Sequence, residues 1–369
     1  MTRAAISFLP GPAQLHPDVL VALSRTPAPH RGAAFLEDVA SIKAELRALT
    51  GARHVSVMLG SGTIANDVVA AQLRRSDERG LVLVNGEFGE RLSDHARRAG
   101  ATFDVERLPW GVPFDGNAIE RALAAHPAAT WVWMVHLETS TGVVNDLPRL
   151  TTLAHARGMR IAVDGVSAIG SISVQVGDVD FATAVSGKGI GSVPGVAIIC
   201  HRERVTPDER IARSLDLGLY AGAEGVPFTL SSNLIWALSA ALGHAAKPGR
   251  MERLATVGAQ LRVELERRGH VIVAPVESAA PSVVTVALGA DECVQAFGDA
   301  LAARGILTSY RSDYLVRRNW IQAAVMGECT REQVDTLLAV WDEVRGREPV
   351  RDERARRGHH PLGGVAAHL

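Results

Sequence analysis

Apolar positions along this chain recur with two different periods. Between residues 33 and 49, "AAFLEDVASIKAELRAL", the residues Phe35, Leu36, Val39, Ile42, Leu46 and Leu49 fall at helical spacing, and Gly51 supplies a stop. Beyond it, short continuous apolar runs alternate with helical stretches. "HVSVML" predicts a strand, followed by "GSGT" and a helix from about Ile64. "GLVLVN" predicts a strand, then Gly86 and a helix through Arg98. "TWVWMVHL" predicts a strand and "LPRLTTLAHARG" a helix, after which "RIAVDG", "DFATAVS" and "GVAIIC" predict three more strands. Strands that alternate with helices and are apolar throughout fit an α/β fold with a mostly parallel sheet covered on both faces.

The pattern changes further on. A long helical region is expected around 231–268, after "PFTLSSN". "HVIVAPV", "SVVTVAL" and "WIQAAVM" predict strands, with helices near 291–304 and 330–346. The expected organisation is an N-terminal arm (1–20), a large domain (21–255), a smaller C-terminal α+β domain (256–347) and a charged, disordered tail (348–369).

Composition narrows the class. The 369 residues are 47% hydrophobic and 21% charged, enough for a sizeable core. A formal net charge of −1 speaks against a general nucleic-acid binder. No apolar run is long enough to span a membrane, and Pro10 and Pro12 break the start before a signal peptide could form. Cys200, Cys293 and Cys329 form no C-x-x-C pair, which suits a reducing cytoplasm and disfavours a zinc site or a disulfide frame.

The candidate chemistry centres on "AVSGKGIGSVPGVAII", residues 184–199, where Lys188 sits among glycines between two apolar runs. Three readings compete: a phosphate loop, a lysine nucleophile and an exposed turn. A phosphate loop requires G-x-x-x-x-G-K-[ST], and the residue after this lysine is Gly189, so that reading fails on spacing. The other two are weighed by what lies at the neighbouring strand ends, where open α/β sheets bind ligands. "GSGT" (Gly60 to Thr63) opens a helix and suits a phosphate; "NGEFGER" carries Phe88; "HLETSTG" spans 136–142; "RIAVDG" ends near Asp164. Alone, each has a plain structural use: Ser-Gly-Thr as a helix cap, Phe88 as core, His136 as a satisfied strand histidine. Together Lys188, Ser61-Gly62-Thr63, Phe88 and Asp164 supply what pyridoxal 5′-phosphate asks of a protein: a Schiff-base lysine, an anion site, a flat group on the ring and a carboxylate for the pyridinium nitrogen.

At this point the sequence resembles the class V aminotransferases of PLP fold type I, with alanine–glyoxylate, serine–pyruvate and 2-aminoethylphosphonate–pyruvate aminotransferases as the nearest kinds. The motifs are "LPGP" at 9–12, "HRGAAF" at 30–35, "GSGT", "VNGEFGER", "VHLETSTGVVN", "VDGVSAIG", "SGKGIGSVPG" and "MGECTREQVDTLL", in order from residue 9 to about 345. The resemblance implies a large domain with a mostly parallel sheet and a smaller C-terminal domain. It implies that Lys188 bonds the cofactor and that an ionised Asp164 holds the pyridine nitrogen protonated. Val166 and Phe88 would sandwich the ring, and Thr139 would hydrogen-bond it. Ser61, Gly62, Thr63 and Ser186 would hold the phosphate. Thr229 matches a residue that reaches a neighbouring subunit's phosphate, which implies a homodimer with shared sites.

Two positions depart from the family pattern. Gly187 replaces the usual Gln or Asn before the lysine. Gln322, in "WIQAAVMGE", stands where relatives place an Arg that pairs with the substrate carboxylate. The substrate side therefore falls to Gln322, Gly11 and Arg318, with Arg311, Arg317 and Arg31 as further candidates. The implied reaction moves an amino group from a small donor to a 2-oxo acid such as pyruvate or glyoxylate. The alternatives are a lyase-type reaction on the same scaffold or a donor without an α-carboxylate, such as 2-aminoethylphosphonate.

Overall fold

The computed structural model describes residues 5–74, 78–222 and 226–346; the tail expected to be disordered lies outside these residues. A seven-stranded sheet forms the centre. Its spatial order is His54–Gly60, Gly195–His201, Phe181–Val185, Arg160–Asp164, Trp131–Val135, Arg79–Val84 and Thr102–Arg107. Gly195–His201 is antiparallel to both its neighbours, and every other pair is parallel. All five residues of Trp131–Val135 and of Phe181–Val185 are buried, as strands covered on both faces must be. One face packs against the Ala33–Thr50 and Ser232–Ala245 helices through Phe35, Ile42, Leu46, Ile235 and Leu238. The other packs against Gly62–Arg74 and Glu87–Ala99 through Ala65, Val68, Leu92 and Ala96.

Because the flanking strands share one direction, Gly60, Val84, Val135, Asp164 and Val185 all end at one edge of the sheet. The segments that follow them converge there.

A second core surrounds an antiparallel sheet of Val271–Ile272, Val283–Ala287 and Trp320–Ala324. The start of the chain joins this body: Ile6–Ser7 pairs in parallel with Ile306–Leu307, and Phe8 is fully buried in the second core. The helical region expected at 231–268 is two helices, Ser232–Ala245 and Arg250–Arg267, separated at Gly249, which has φ 74°. Residues 255 and 256, the expected boundary between the two domains, lie inside the second helix. Thr102–Arg107, with a half-polar pattern on the sheet's edge, and Gly116–Ala125 are further elements that periodicity did not signal.

Candidate active site

At the shared strand edge lies a cavity of ≈ 440 Å³ lined by Lys188, Asp164, Ser61, Gly62, Thr63, Phe88, Thr139, Val166 and Gly11, among others. A larger, more open groove of ≈ 810 Å³ beside His270 and Phe297 has no lysine on its walls.

The phosphate end follows from local geometry. The chain leaves His54–Gly60 and turns at once into the Gly62–Arg74 helix, whose first N–H groups lack intrahelical acceptors. A Cβ at Gly62 would sit 3.0 Å from Val166 Cγ1, so a larger residue there would have to displace the Val166 side chain.

The same helix carries Asn66, whose Nδ2 donates to Asp164 Oδ2 at 2.8 Å; the Val166 N–H donates to Asp164 Oδ1 at 2.9 Å. Burial pushes the Asp164 carboxyl above its usual range, while these two donors and the nearby Lys188 pull it down. Lys188 follows the Phe181–Val185 strand, with Nζ 5.9 Å from the Phe88 ring centroid. Burial lowers the Lys188 amine to about 8, against the raising effect of Asp164 and with help from Arg91. Gly11 lies against it: a Cβ there would be 3.0 Å from Lys188 Cε.

Phe88 is held by a residue from another strand end. Gly86 caps the Glu87–Ala99 helix without a side chain, and the fully buried Glu138 accepts from Phe88 N (3.4 Å) and Gly89 N (3.0 Å) in its place. Burial raises the Glu138 carboxyl to about 7, opposed by the Ser140 hydroxyl and the backbone donors. Thr139 Oγ1 donates to Ser167 Oγ at 2.6 Å on the cavity wall.

Several other expected residues lie off this cavity wall. The Ser186 hydroxyl donates to Val193 O (2.7 Å) and accepts from Val196 N (3.1 Å), so it braces the lysine loop and does not line the cavity. Thr229 is exposed and off the cavity wall of its own chain. Gln322 is fully buried, and its Nε2 donates to Thr139 O, Ser140 O and Thr285 Oγ1 while Oε1 accepts from Tyr314 Oη. Its carboxamide is spent tying the second sheet to the Thr139 loop and offers nothing to a substrate. Arg318 lies with Cζ 3.5 Å over the Trp110 ring, a cation–π contact off the cavity wall. Arg311 is paired with Asp299, and Arg31 is exposed beside His30. Among the described residues, Arg91 is the one guanidinium on the cavity wall.

The donor set fits pyridoxal 5′-phosphate: an amine, a carboxylate, a ring and a helix N-terminus facing one cavity. A family model, aminotransferase class V, matches residues 18–214. The chain belongs to the class V aminotransferases. It is a PLP-dependent aminotransferase, with pyridoxal 5′-phosphate as its cofactor. This aminotransferase is 30% identical over 267 residues to a 2-aminoethylphosphonate–pyruvate transaminase from Pseudomonas entomophila, covering 68% of this chain and 73% of the relative. Its fold matches an alanine–glyoxylate aminotransferase from Nostoc sp. at TM-score 0.84 and 28% identity, over 94% of this chain and 96% of the other. The ureidoglycine–glyoxylate aminotransferase of Bacillus subtilis shares the fold at TM-score 0.87 with 24% identity, over 97% of each chain.

Several cavity residues of the aminotransferase were not legible in its sequence. Asn66 is one turn beyond Gly62, so helical spacing from "GSGT" could have found it. Arg91 and His95 follow Phe88 on one helix, and the His95 ring pairs with Asp67. Ser309, Ser312 and Tyr314 reach the cavity from the second body, and no sequence signal connects them to it.

Proposed function

We propose that Lys188 is the attachment point for the cofactor, and that the enzyme moves an amino group from a small donor to a 2-oxo acid such as pyruvate or glyoxylate. The observation that carries this is the placement of the partly buried Lys188 and the buried Asp164 on one cavity with the Gly62–Arg74 helix N-terminus.

Bound pyridoxal 5′-phosphate supplies an aldehyde that accepts an amine and a ring that withdraws electrons from the adjacent carbon. The chain's own groups do the rest. N–H groups at Gly62 and Thr63, with the hydroxyls of Ser61 and Thr63, hold the phosphate dianion. The Asp164 carboxylate keeps a proton on the ring nitrogen, and a cation beside it favours its charged form over the effect of burial. Val166 and Phe88, on the cavity wall, would hold the ring and keep water from it, and Thr139 would help orient it. Lys188, lowered to about 8, has a neutral fraction near physiological pH, so Nζ can take a proton from the substrate carbon and return it.

The state of Gln322 favours a second reading of the donor. Among the described residues no guanidinium from the second sheet meets the cavity, and Arg91, on the Glu87–Ala99 helix, is the one guanidinium on its wall. That arrangement suits a donor without an α-carboxylate, and the similarity to a 2-aminoethylphosphonate–pyruvate transaminase agrees with it. A lyase reaction would need the same lysine. A desulfurase would need a thiolate, and burial pushes the Cys329 thiol up to about 12.

We also propose a homodimer, in which the exposed Thr229, next to Phe228 (36% exposed), reaches the partner's phosphate. Three unpaired cysteines support a cytoplasmic setting. The division into a large and a smaller domain is proposed at Gly249, with residues 6–8 counted in the smaller one.

The test is a single-turnover screen. The loaded enzyme is offered alanine, serine, 2-aminoethylphosphonate and amines without a carboxylate, and loss of the yellow absorbance is recorded; pyruvate or glyoxylate is then added. Reversible bleaching establishes amino transfer. Bleaching that no oxo acid reverses would overturn it, and bleaching by α-amino acids alone would overturn the carboxylate-free donor.

A further inference from the structure

Arg250, the first residue of the Arg250–Arg267 helix, is 3% exposed and makes no direct ion pair among the described residues; Glu328 acts on it only as a nearby charge. Its guanidinium is spent on two backbone carbonyls: Nη1 donates to Gly170 O at 2.7 Å and Nη2 to Gly189 O at 3.0 Å. Those carbonyls belong to the two segments that carry the site. Gly170 closes the turn that begins at Asp164, and Gly189 follows Lys188.

The segments cross in contact at these glycines. A Cβ on Gly170 would lie 2.5 Å from Ile190 N, and one on Gly189 would lie 2.5 Å from Ser171 N. At such an approach there is no room for side chains to fix the relative position of the loops, so it must be set from outside the crossing. A planar fork with two donors at a fixed separation is suited to that, and a point cation is not. Burying a guanidinium whose only compensation is a carboxylate at a distance, Glu328, is costly, which makes a plain packing role a poor account of the residue.

We propose that Arg250 is a positioning residue that sets Lys188 relative to Asp164 by clamping the two loops at Gly170 and Gly189. The inference rests on the reading of Lys188 and Asp164 as the cofactor residues. It also gives the second body a mechanical link to the site, because the same helix places Val257, Leu261 and Leu265 in the second core. A displacement of that body is carried to the carbonyl beside Lys188.

The experiment compares wild type, Arg250→Lys and Arg250→Met as full chains. Three quantities are read: the Kd for pyridoxal 5′-phosphate by fluorescence titration of cofactor-free protein, the absorbance maximum of the loaded enzyme and the midpoint of its pH titration, and thermal unfolding of the cofactor-free form. Arg250→Met is expected to weaken cofactor binding by about tenfold or more and to move the absorbance titration, since two charged hydrogen bonds are lost at the loops. Arg250→Lys is expected to fall between, with one carbonyl still served. A folded Arg250→Lys or Arg250→Met with wild-type Kd and titration midpoint overturns the proposal, even if its unfolding temperature has dropped. Should Arg250→Met fail to fold, the lysine variant alone decides. Wild type that does not bind the cofactor at all would instead overturn the reading of the site.

Discussion

Asn66 Nδ2 donates a 2.8 Å hydrogen bond to Asp164 Oδ2, and Thr183 Oγ1 donates in turn to Asn66 Oδ1 at 2.9 Å. All three residues are buried, so the threonine fixes which way the amide faces, and the amide fixes the carboxylate. Asn66→Leu removes one of the two donors that oppose the effect of burial on Asp164. The carboxyl is then driven further towards its neutral form, which cannot hold a cationic ring nitrogen. Cofactor affinity is expected to fall about tenfold, the worth of one buried charged hydrogen bond. Titration of the cofactor-free protein reads this directly, and an unchanged Kd would exclude the role given to Asn66.

Lys188 carries a prediction about pH. Its amine is lowered to about 8, chiefly by burial, so its neutral fraction rises as pH rises through that value. Acylation of Lys188 in the cofactor-free protein, followed by peptide mass spectrometry, is expected to have a midpoint near 8, well below an ordinary lysine at about 10.4. Asp164 raises the Lys188 value, so Asp164→Asn is expected to move the midpoint lower still. A midpoint in the ordinary lysine range would sink the assignment. Lys188→Ala is expected to abolish turnover.

Glu138 links stability to pH in the direction opposite to a paired carboxylate. Its folded value, about 7, lies above the ordinary 4.5, so between those values the folded chain holds a proton that the unfolded chain has released. The contribution is fully present below pH 4.5 and is lost as pH rises towards 7. For this one group the loss is on the order of 3 kcal/mol at most. Glu138→Gln cannot ionise, so its unfolding free energy is expected to vary less than wild type between pH 5 and 8. Parallel curves for the two proteins, from urea unfolding at each pH, would contradict this.

Gln322 and Arg91 are expected to fail in different ways. Gln322→Leu strands the buried Thr139 carbonyl, at about 1–3 kcal/mol, leaves Ser140 O with only the 3.4 Å bond from Thr285 Oγ1, and lowers the unfolding temperature. Its effect on donor KM is expected to be small beside that of Arg91→Gln. The latter removes the guanidinium on the cavity wall and is expected to raise KM severalfold for an anionic donor, with little change in stability. Steady-state kinetics with the donor identified in the amine screen separates the two, and a larger KM effect at Gln322 would return that residue to the substrate side.

The sequence by itself determined the class of fold and pointed to several of the groups that line the central cavity. Continuous apolar runs such as "TWVWMV" must be buried on both faces, and that alone calls for a parallel sheet with helices on each side. Lys188, Asp164, Phe88 and Ser61-Gly62-Thr63 were legible because each sits within a few residues of a strand end, where local spacing fixes location. Only the tertiary structure decided what depends on contacts between distant segments. Gln322 sits at the expected place in the chain, yet its side chain turns to carbonyls at 139 and 140, more than 180 residues away. Ser186 is adjacent to the lysine loop in sequence, but its hydroxyl closes on Val193 and Val196. Arg250 reads as one more arginine in a basic stretch, and its partners lie 80 and 61 residues earlier. The reason is physical: strand ends are set by local periodicity, whereas the direction of a buried polar side chain is set by whichever unsatisfied backbone group folding brings within reach.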